Sequence, residues 1–361
     1  MSRQPRPGQR VAVAMSGGVD SSAVAALLNT QGYDVVGITL RLWTASGGEV
    51  EGGCCTLDDV YDARAVARKL GIRHYVLDET EPFREAVVQP FIAAYREGRT
   101  PSPCILCNNV LKFDHLVRRA LQFEAEWLAT GHYARIDRSA EHARLMRGAD
   151  PTRDQSYFLH GIGTEALDRT LFPLGDLPKE EVRELAAEAG LPTASKKDSQ
   201  DLCFLAGTTL RDFLNAEGMN IKPGPIVDRQ GRTLGHHQGA HAFTVGQRKG
   251  LGVAHPQPLY VTQVRPTENT LVVGTRDELQ SNGLIATDAR WFRRPTVNEQ
   301  VQVRCRNRST PAQAVVVASD EAGSFTLRFG SPQTAVTPGQ AAVLYVGDEV
   351  LGGGWIQEAQ T

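Results

Sequence analysis

A chain of 361 residues, 41% hydrophobic and 22% charged, can bury the cores of two or three domains and has an ordinary globular composition. Its net charge of −2 excludes bulk attraction to nucleic acid, so any such binding needs local basic clusters. No apolar run approaches the ~20 residues of a membrane span, and Met1–Pro7 lacks a signal-peptide core. A cytoplasmic location is therefore expected, where the six cysteines would serve metal binding, thiol chemistry or inert packing rather than a disulfide framework.

In chain order, an apolar β-type run reaches Met15 and is broken by Ser16-Gly17-Gly18, after which Asp20-Ser21-Ser22 opens a helix through Ala23–Leu28. A second strand is expected over Tyr33–Trp43, a Gly-rich loop over Gly47–Gly53 ending in Cys54-Cys55, a helix over Asp58–Leu70 and a strand over Ile72–Leu77. Phe83–Arg96 reads as a helix, Asn109–Phe123 as another, and Glu126–Thr130 as a strand leading to Gly131-His132. Thr100–Asn108 carries two prolines, which puts Cys104 and Cys107 on or beside a loop. Arg153–Leu159 opens a helix, Lys179–Ala189 is amphipathic, Ser195–Phe204 is polar up to its closing apolar pair, Leu210–Ala216 is a short helix and Gly218–Pro225 has linker composition. The β-α-β-α alternation predicts an α/β fold with a doubly wound parallel sheet and ligands at the carboxyl ends of its strands. Beyond residue 225 the pattern changes to short strands (Leu259–Val264, Thr270–Val273, Gln300–Arg304, Ala314–Ala318, Ser324–Phe329), as in one or two all-β modules, the last barrel-like.

A strand, a glycine turn and a helix start aim backbone N–H groups and the positive helix end at one point, which is the anatomy of a phosphate cradle. Neither G-x-x-x-x-G-K-[ST] nor G-x-G-x-x-G fits here. Ser16-Gly17-Gly18-Val19-Asp20-Ser21 instead looks like the pyrophosphate loop of ATP pyrophosphatases.

Three further groups of residues could carry chemistry. Cys104 and Cys107 form a C-x-x-C that lacks the second pair a structural zinc site needs. With Cys203 it could supply three ligands of an iron–sulfur cluster, or one thiol could carry sulfur as a persulfide while another resolves it. Cys305 is expected to be inert in a strand, and Cys54 and Cys55 to be inert as well. His236, His237, His241 and His255 read as polar loop residues rather than metal ligands. Lys196-Lys197, Arg248-Lys249 and Arg293-Arg294 are local basic clusters, and Arg304, Arg306 and Arg308 would alternate onto one strand face as a stripe suited to a phosphate backbone.

These residues resemble the bacterial tRNA 2-thiouridylases, the MnmA family. The resemblance runs through Ala14–Ser21, Pro103–Asn108, Thr130–Tyr133, Arg153–Phe158, Asp198–Phe204 and Phe243–Gly252, in that order. It implies a tRNA sulfurtransferase that uses ATP to convert C2=O of the wobble uridine to C2=S. It also implies three domains: a pyrophosphatase-type catalytic domain over 1–207, a small central domain over 208–283 and a tRNA-contacting C-terminal β-barrel over 284–361.

By match to the family, Ala14, Met15, Ser16, Gly17, Gly18, Val19, Asp20, Ser21, Leu40 and Gly131 bind ATP, with Mg²⁺ accompanying it and no permanently bound metal. Cys203 carries the persulfide and Cys107 is its partner. Either Cys107 frees sulfide from it, or the terminal sulfur attacks C2 and Cys107 resolves the disulfide. Ser102, Pro103, Cys104, Arg153, Asp154, Gln155, Arg304, Cys305 and Arg306 contact tRNA or the flipped base. Some relatives carry Asp where Cys104 stands, so an acid/base role does not transfer to it. The expected partners are tRNA and a sulfur-relay protein or cysteine desulfurase, with the chain acting as a monomer away from membranes. The loop alone would also suit an amidating ligase or a thiolase of another base, and the basic β region alone a non-catalytic RNA-binding protein.

Overall fold

The structure, a computed structural model, describes residues 5–43, 57–198 and 202–361. The Gly47–Gly53 loop, Cys54, Cys55 and Ser199–Asp201 lie outside the described residues. The chain divides into two compact units. One comprises Met1–Val87, Cys104–Gly207 and Asp348–Val350; the other comprises Val88–Pro103, Thr208–Gly347 and Leu351–Thr361.

The first unit is α/β. Strand β1 (Arg10–Ala14) leads through the glycine turn into α1 (Val19–Thr30), followed by β2 (Asp34–Arg41), α2 (Leu57–Leu70) and β3 (Arg73–Asp78). Asp58 and Asp59 open α2 while Arg68 and Lys69 close it, matching the helix dipole at both ends. α3 (Thr80–Phe83) runs into a π-helical turn, Arg84–Val88; α4 (Gln89–Arg96), next in sequence, belongs to the second unit. α5 (Pro103–Leu106) continues as a π-helical segment, Cys107–His115, and then as α6 (Leu116–Gln122). Next come β4 (Trp127–Ala129), a hairpin of β5 (Ala134–Asp137) and β6 (Arg144–Arg147), α7 (Thr164–Asp168), β7 (Thr170–Leu171) and α8 (Lys179–Glu188).

The sheet order is β3-β2-β1-β4-β7, all parallel. Val11, Ala12 and Val13 of the central strand are fully buried, as expected where helices cover both faces. Val24, Ala25 and Leu28 of α1 share one core with Val182 and Ala186 of α8. Because β1 lies between β2 and β4, its carboxyl end is the point where the strand order reverses.

The second unit contains α9 (Leu210–Ala216), capped by the Thr209 hydroxyl, which accepts from the Asp212 amide. A four-stranded sheet follows: β8 (Gly224–Val227), β9 (Thr233–His237), β10 (Tyr260–Arg265) and β11 (Thr270–Gly274), ordered β10-β11-β8-β9. The remaining strands are β12 (Gln280–Trp291), β13 (Gln300–Arg304), β14 (Ala312–Ser319), β15 (Phe325–Thr334), β16 (Ala341–Val346) and β17 (Glu349–Gln360). They pair in the order β12-β15-β14-β13-β16-β17, and β12–β17 pairing closes them into a barrel. Leu284, Val301, Val316, Phe325, Leu344 and Ile356 belong to its core.

Several sequence expectations are corrected. The backbone at Cys104 and Cys107 is helical, not loop: Pro103 begins α5, where its missing N–H costs nothing and its fixed φ suits the first turn. The helix expected from Arg153 is a 3₁₀ turn over Ser156–Leu159. The arginine stripe does not form, because β13 ends at Arg304 and the chain bends through residues 305–309. That bend also removes Cys305 from its expected strand. His237 is not a loop residue. It is buried at the end of β9, with its Nε2 3.0 Å from the Asn269 carbonyl and its Nδ1 accepting from the Gly239 amide.

Candidate active site

The turn after β1 is built for an anion. Gly17 has φ +74°, and a Cβ there would stand 2.2 Å from the Asp59 carbonyl oxygen, so α2 leaves no room for any other residue. Gly18 differs. A Cβ there would meet only the Ser16 hydroxyl, at 3.5 Å, so its bare backbone leaves approach space for a ligand.

Within the loop, the Ser16 amide donates to Ser21 Oγ (3.1 Å) and the Ser22 hydroxyl to the Gly18 carbonyl (2.7 Å). The amides of Gly17, Gly18, Val19 and Asp20 find no hydrogen-bond acceptor among the described residues. Four such donors at a helix start form an anion-binding nest.

The strand register supports the turn from below. Thr39 of β2 donates its hydroxyl to the Met15 carbonyl (2.7 Å), and His74 of β3 bonds Thr39 in turn (2.8 Å). Burial, reinforced by Arg64, lowers the His74 pKa to about 4, so the ring is neutral at pH 7. Gly131, after β4, faces the same turn. A Cβ on it would lie 2.9 Å from both Asp20 Cβ and the Ser21 amide nitrogen. Next to it, His132 packs against Phe113 and Phe172, and desolvation pushes its pKa well below the usual range. Leu40 is buried in β2.

Charge converges on this turn. Lys179, buried at the start of α8, donates to both carboxylate oxygens of Asp20 (2.7 and 2.9 Å) and pairs with Asp198 Oδ1 (2.8 Å). The Tyr133 hydroxyl also donates to Asp20 (2.8 Å), and its pKa is raised by burial and by that carboxylate. Asp198 further binds Arg153 (2.9 Å) and Arg183 (3.3 Å). Burial alone would raise the Asp198 carboxyl, but Lys179 and Arg153 outweigh it and hold it below its ordinary range.

Lys196 bonds the Gly17 carbonyl (3.1 Å), Asp59 (2.8 Å) and Asp62, tying α2 to the turn. Burial would lower its ammonium, yet the two carboxylates raise it, so it stays charged. Sequence reasoning assigned no role to Lys179, Asp198 or Tyr133. Asp198 and Tyr133 lay inside quoted motifs, while Lys179 carried no signal beyond its place after Pro178 at a helix start.

The cysteines differ in environment. Cys104 is exposed, Cys107 is buried at the opening of the π-helical segment, and Cys203 is partly exposed. Phe204, beside Cys203, is buried edge-on against Trp43 (6.2 Å) and Phe83 (5.9 Å), which anchors that end of the segment. Cys305 is partly buried against the barrel core, and desolvation pushes its thiol up to about 12, as suits an inert residue. No group of three or more His, Cys, Asp or Glu residues able to hold a metal occurs among the described residues. None of the helices among them is long and apolar enough to cross a membrane.

The expected tRNA contacts divide sharply. Arg153 is exposed and held by Asp198. Asp154 is buried and accepts the Gly148 and Ser156 amides (3.0 and 3.1 Å), while Gln155 pairs with the Tyr133 backbone through both its amide and its side chain. Ser102 is half-buried and Pro103 is buried. Arg304 is buried over the Tyr345 ring (5.7 Å), and Arg306 donates to the Val245 carbonyl (2.8 Å) and to Thr337.

A parallel sheet with an anion nest at its reversal point, followed by two β modules, defines a nucleotide-binding α/β domain with β-barrel appendages. Residues 9–207 match the family described as the tRNA methyl transferase HUP domain. Residues 211–275 match its PRC-barrel domain, and residues 281–356 match the aminomethyltransferase β-barrel domain. The chain is 47% identical to a tRNA-specific 2-thiouridylase MnmA of Geobacter metallireducens, covering 98% of each. It is 48% identical to the enzyme of that name from Solibacter usitatus, covering 97% of this chain and all of that one. The chain belongs to the tRNA-specific 2-thiouridylase (MnmA) family.

Proposed function

We propose that the nest after β1 binds the phosphates of ATP while the C2 oxygen of a tRNA wobble uridine attacks the α-phosphorus, and that Cys203 then delivers sulfur. As a member of its family, the chain is a tRNA sulfurtransferase that forms 2-thiouridine at the cost of ATP. The residue roles follow from the chemistry. A urea-like carbonyl is a poor electrophile and oxide is not a viable leaving group. An O-adenylate makes AMP the leaving group and sends pyrophosphate into the amide-lined loop.

The observation that carries this reading is the four amides of Gly17–Asp20 at the end of β1, without an acceptor among the described residues, with Gly131 closing on them from β4. Ala14–Ser21 would hold the phosphates, and Leu40 and Gly131 the nucleoside side through their backbone. Mg²⁺, when bound with ATP, would share phosphate charge, and Asp20 is the carboxylate at the loop.

Cys203 would carry the persulfide. In one route Cys107 thiolate attacks its inner sulfur, forming the Cys107–Cys203 disulfide and releasing sulfide, which displaces AMP from C2. In the other the terminal persulfide sulfur displaces AMP, and Cys107 then takes Cys203 into a disulfide, leaving the sulfur on C2. Both end in a disulfide that an external thiol must reduce. Arg153, Ser102 and Cys104 would meet tRNA through side chains, with Pro103 buried between the last two, and the turn Arg304–Arg306 through its shape. The persulfide donor would be a relay protein or cysteine desulfurase, and the chain would act as a monomer in the cytoplasm. The domain limits proposed are 1–207, 208–283 and 284–361.

The methyl-transfer wording of two of the matched domain descriptions suggests a second reading. The thiol pair and the anion nest favour thiolation over it. The test is reconstitution: unmodified tRNA, ATP, Mg²⁺ and a persulfide donor, with nucleosides analysed by mass spectrometry. The expected result is 2-thiouridine with one AMP per base, and pyrophosphate release that needs tRNA. Pyrophosphate release indifferent to tRNA, or a product mass increased by a methyl group, would sink the proposal.

A further inference from the structure

Phe243–Gly252 is one of the stretches shared with the family, yet nothing above gives it work. No helix or strand forms between Ala242 and Tyr260, but the loop is closely braced. The Gly246 amide donates to the Val261 carbonyl (2.8 Å), and the Val261 amide donates to the Gln247 carbonyl (2.9 Å), which stitches the loop to the start of β10. The Gln247 side chain closes the turn on itself. Its Oε1 accepts from the Thr244 amide (3.2 Å) and its Nε2 donates to the Lys249 carbonyl (2.9 Å). Gly246 has φ +88°, and a Cβ on it would stand 2.6 Å from the Ala335 Cβ, so the loop lies directly against the chain after β15. Leu251 fixes its far end in the core of the four-stranded sheet.

What this frame presents is positive charge. Arg248 and Lys249 are exposed, and neither side chain has a partner among the described residues. Arg153 must give up Asp198 to take a phosphate, whereas these two have no carboxylate to give up. A braced loop also loses little conformational freedom when a ligand docks on it. Arg306 indicates which polyanion: it donates to the Val245 carbonyl (2.8 Å), three residues before Arg248, and so joins the loop to the turn Arg304–Arg306. We infer that Phe243–Gly252 extends the surface for the substrate tRNA, with Arg248 and Lys249 on backbone phosphates and Arg306 as the clamp that sets them beside that turn. The inference rests on the tRNA reading of the turn. Contacts of this kind supply affinity and register rather than base identity.

The experiment uses the full chain and an unmodified tRNA transcript, with binding measured between about 50 and 200 mM salt. Arg248→Gln combined with Lys249→Gln should lower the slope of log affinity against log salt by about two, and Lys249→Gln alone by about one. In thiolation assays the loss should appear in KM for tRNA rather than in kcat. Melting temperature and binding of the non-cleaved analogue α,β-methylene-ATP should match the wild type. Lys222→Gln is the control. Lys222 is exposed, and its carbonyl takes the Asn269 side chain at the turn between β10 and β11, the end of that hairpin away from Tyr260. Its slope should equal that of the wild type. A wild-type slope in the double variant would overturn the inference and leave the tRNA reading standing. A slope lowered as much by Lys222→Gln as by Lys249→Gln would overturn it too, because charge anywhere on the sheet would then serve. A wild-type protein that does not bind tRNA would overturn both readings. If the slope holds and thiolation slows only when a protein supplies the persulfide, with inorganic sulfide restoring it, the loop docks that protein and the inference fails.

Discussion

The α/β unit and the β unit carry similar kinds of positive charge and use them differently. Lys179 and Lys196 bond groups of one turn directly and Arg153 pairs with the Asp198 that Lys179 also holds, so each cation sits on carboxylates that a ligand can replace. In the β unit, Arg304 lies buried over Tyr345, and Arg306 fastens a backbone carbonyl and Thr337. Counting basic residues does not separate these cases; their partners do. A cation paired with carboxylates beside free amides is poised for an anion, whereas one bonded to a neutral backbone acts as a clamp.

The largest expected effect removes the α/β unit's chemistry without touching its fold. Cys203→Ser should lower persulfide-dependent 2-thiouridine formation by about 10³-fold or more, on the scale of losing a nucleophile. Its melting temperature and analogue binding should stay unchanged. Retained thiolation in single-turnover assays would return Cys203 to an ordinary thiol.

Next is Gly17→Ala, which tests whether the nest is preformed. A left-handed alanine costs about 1–2 kcal/mol before any clash is counted, and here the added Cβ would sit 2.2 Å from a backbone oxygen of α2. Calorimetry should show at least about 10-fold weaker nucleotide binding, together with a lower melting temperature. Gly18→Ala meets no such obstacle and should keep its stability while losing affinity. Equal melting losses in the two variants would contradict the assignment of separate roles.

How much of this was readable beforehand follows the same division. The nest was legible because its chemistry is local: a strand, two glycines and a helix start within a dozen residues. The parallel sheet was legible from alternation, and its order placed Gly131 where the motif Thr130–Tyr133 hinted. What was not legible depends on distance in sequence. Lys179 meets Asp20 across 159 residues, and no period or spacing records that. Helical backbone at Cys104 was hidden because a proline reads as a breaker until its place at the first helical position is known. The arginine stripe failed for the opposite reason: alternation was extended past a strand end that only pairing with β16 and β14 defines.

A smaller effect separates neighbours in Arg153-Asp154-Gln155. Arg153→Ala should weaken tRNA binding and reduce its salt dependence by about one counterion, with little change in melting. Asp154→Ala leaves two buried amides without an acceptor and should cost about 1–3 kcal/mol of stability. In the β unit, Arg306→Lys should likewise lower the melting temperature while leaving the salt slope of tRNA binding as it was. A slope reduced by one in Arg306→Lys would make that arginine a phosphate contact after all.

The smallest effect is the part of the pH dependence that the support beneath the nest contributes. The folded-state pKa of His74 is lowered to about 4, by burial first and by Arg64 second. In the unfolded chain the ring takes up a proton near pH 6.5. Between these values the unfolded state binds more protons, so stability falls as pH drops from about 6.5 to about 4 and is flat above. His74→Gln can keep the hydrogen bond to Thr39 without the titration, so its melting temperature should lose the share of the slope that His74 contributes while Thr39 still holds the Met15 carbonyl. Asp198 titrates lower: its depressed pKa means its stabilisation is lost only as pH falls below the ordinary carboxylate range. Burial also lowers the pKa values of His132, His237 and His241, so His74 is read at pH 7, 6 and 5 as the difference between the wild-type and His74→Gln melting curves. A slope undiminished in His74→Gln would mean that His74 takes no part in it, leaving the Thr39–Met15 prop insensitive to acid.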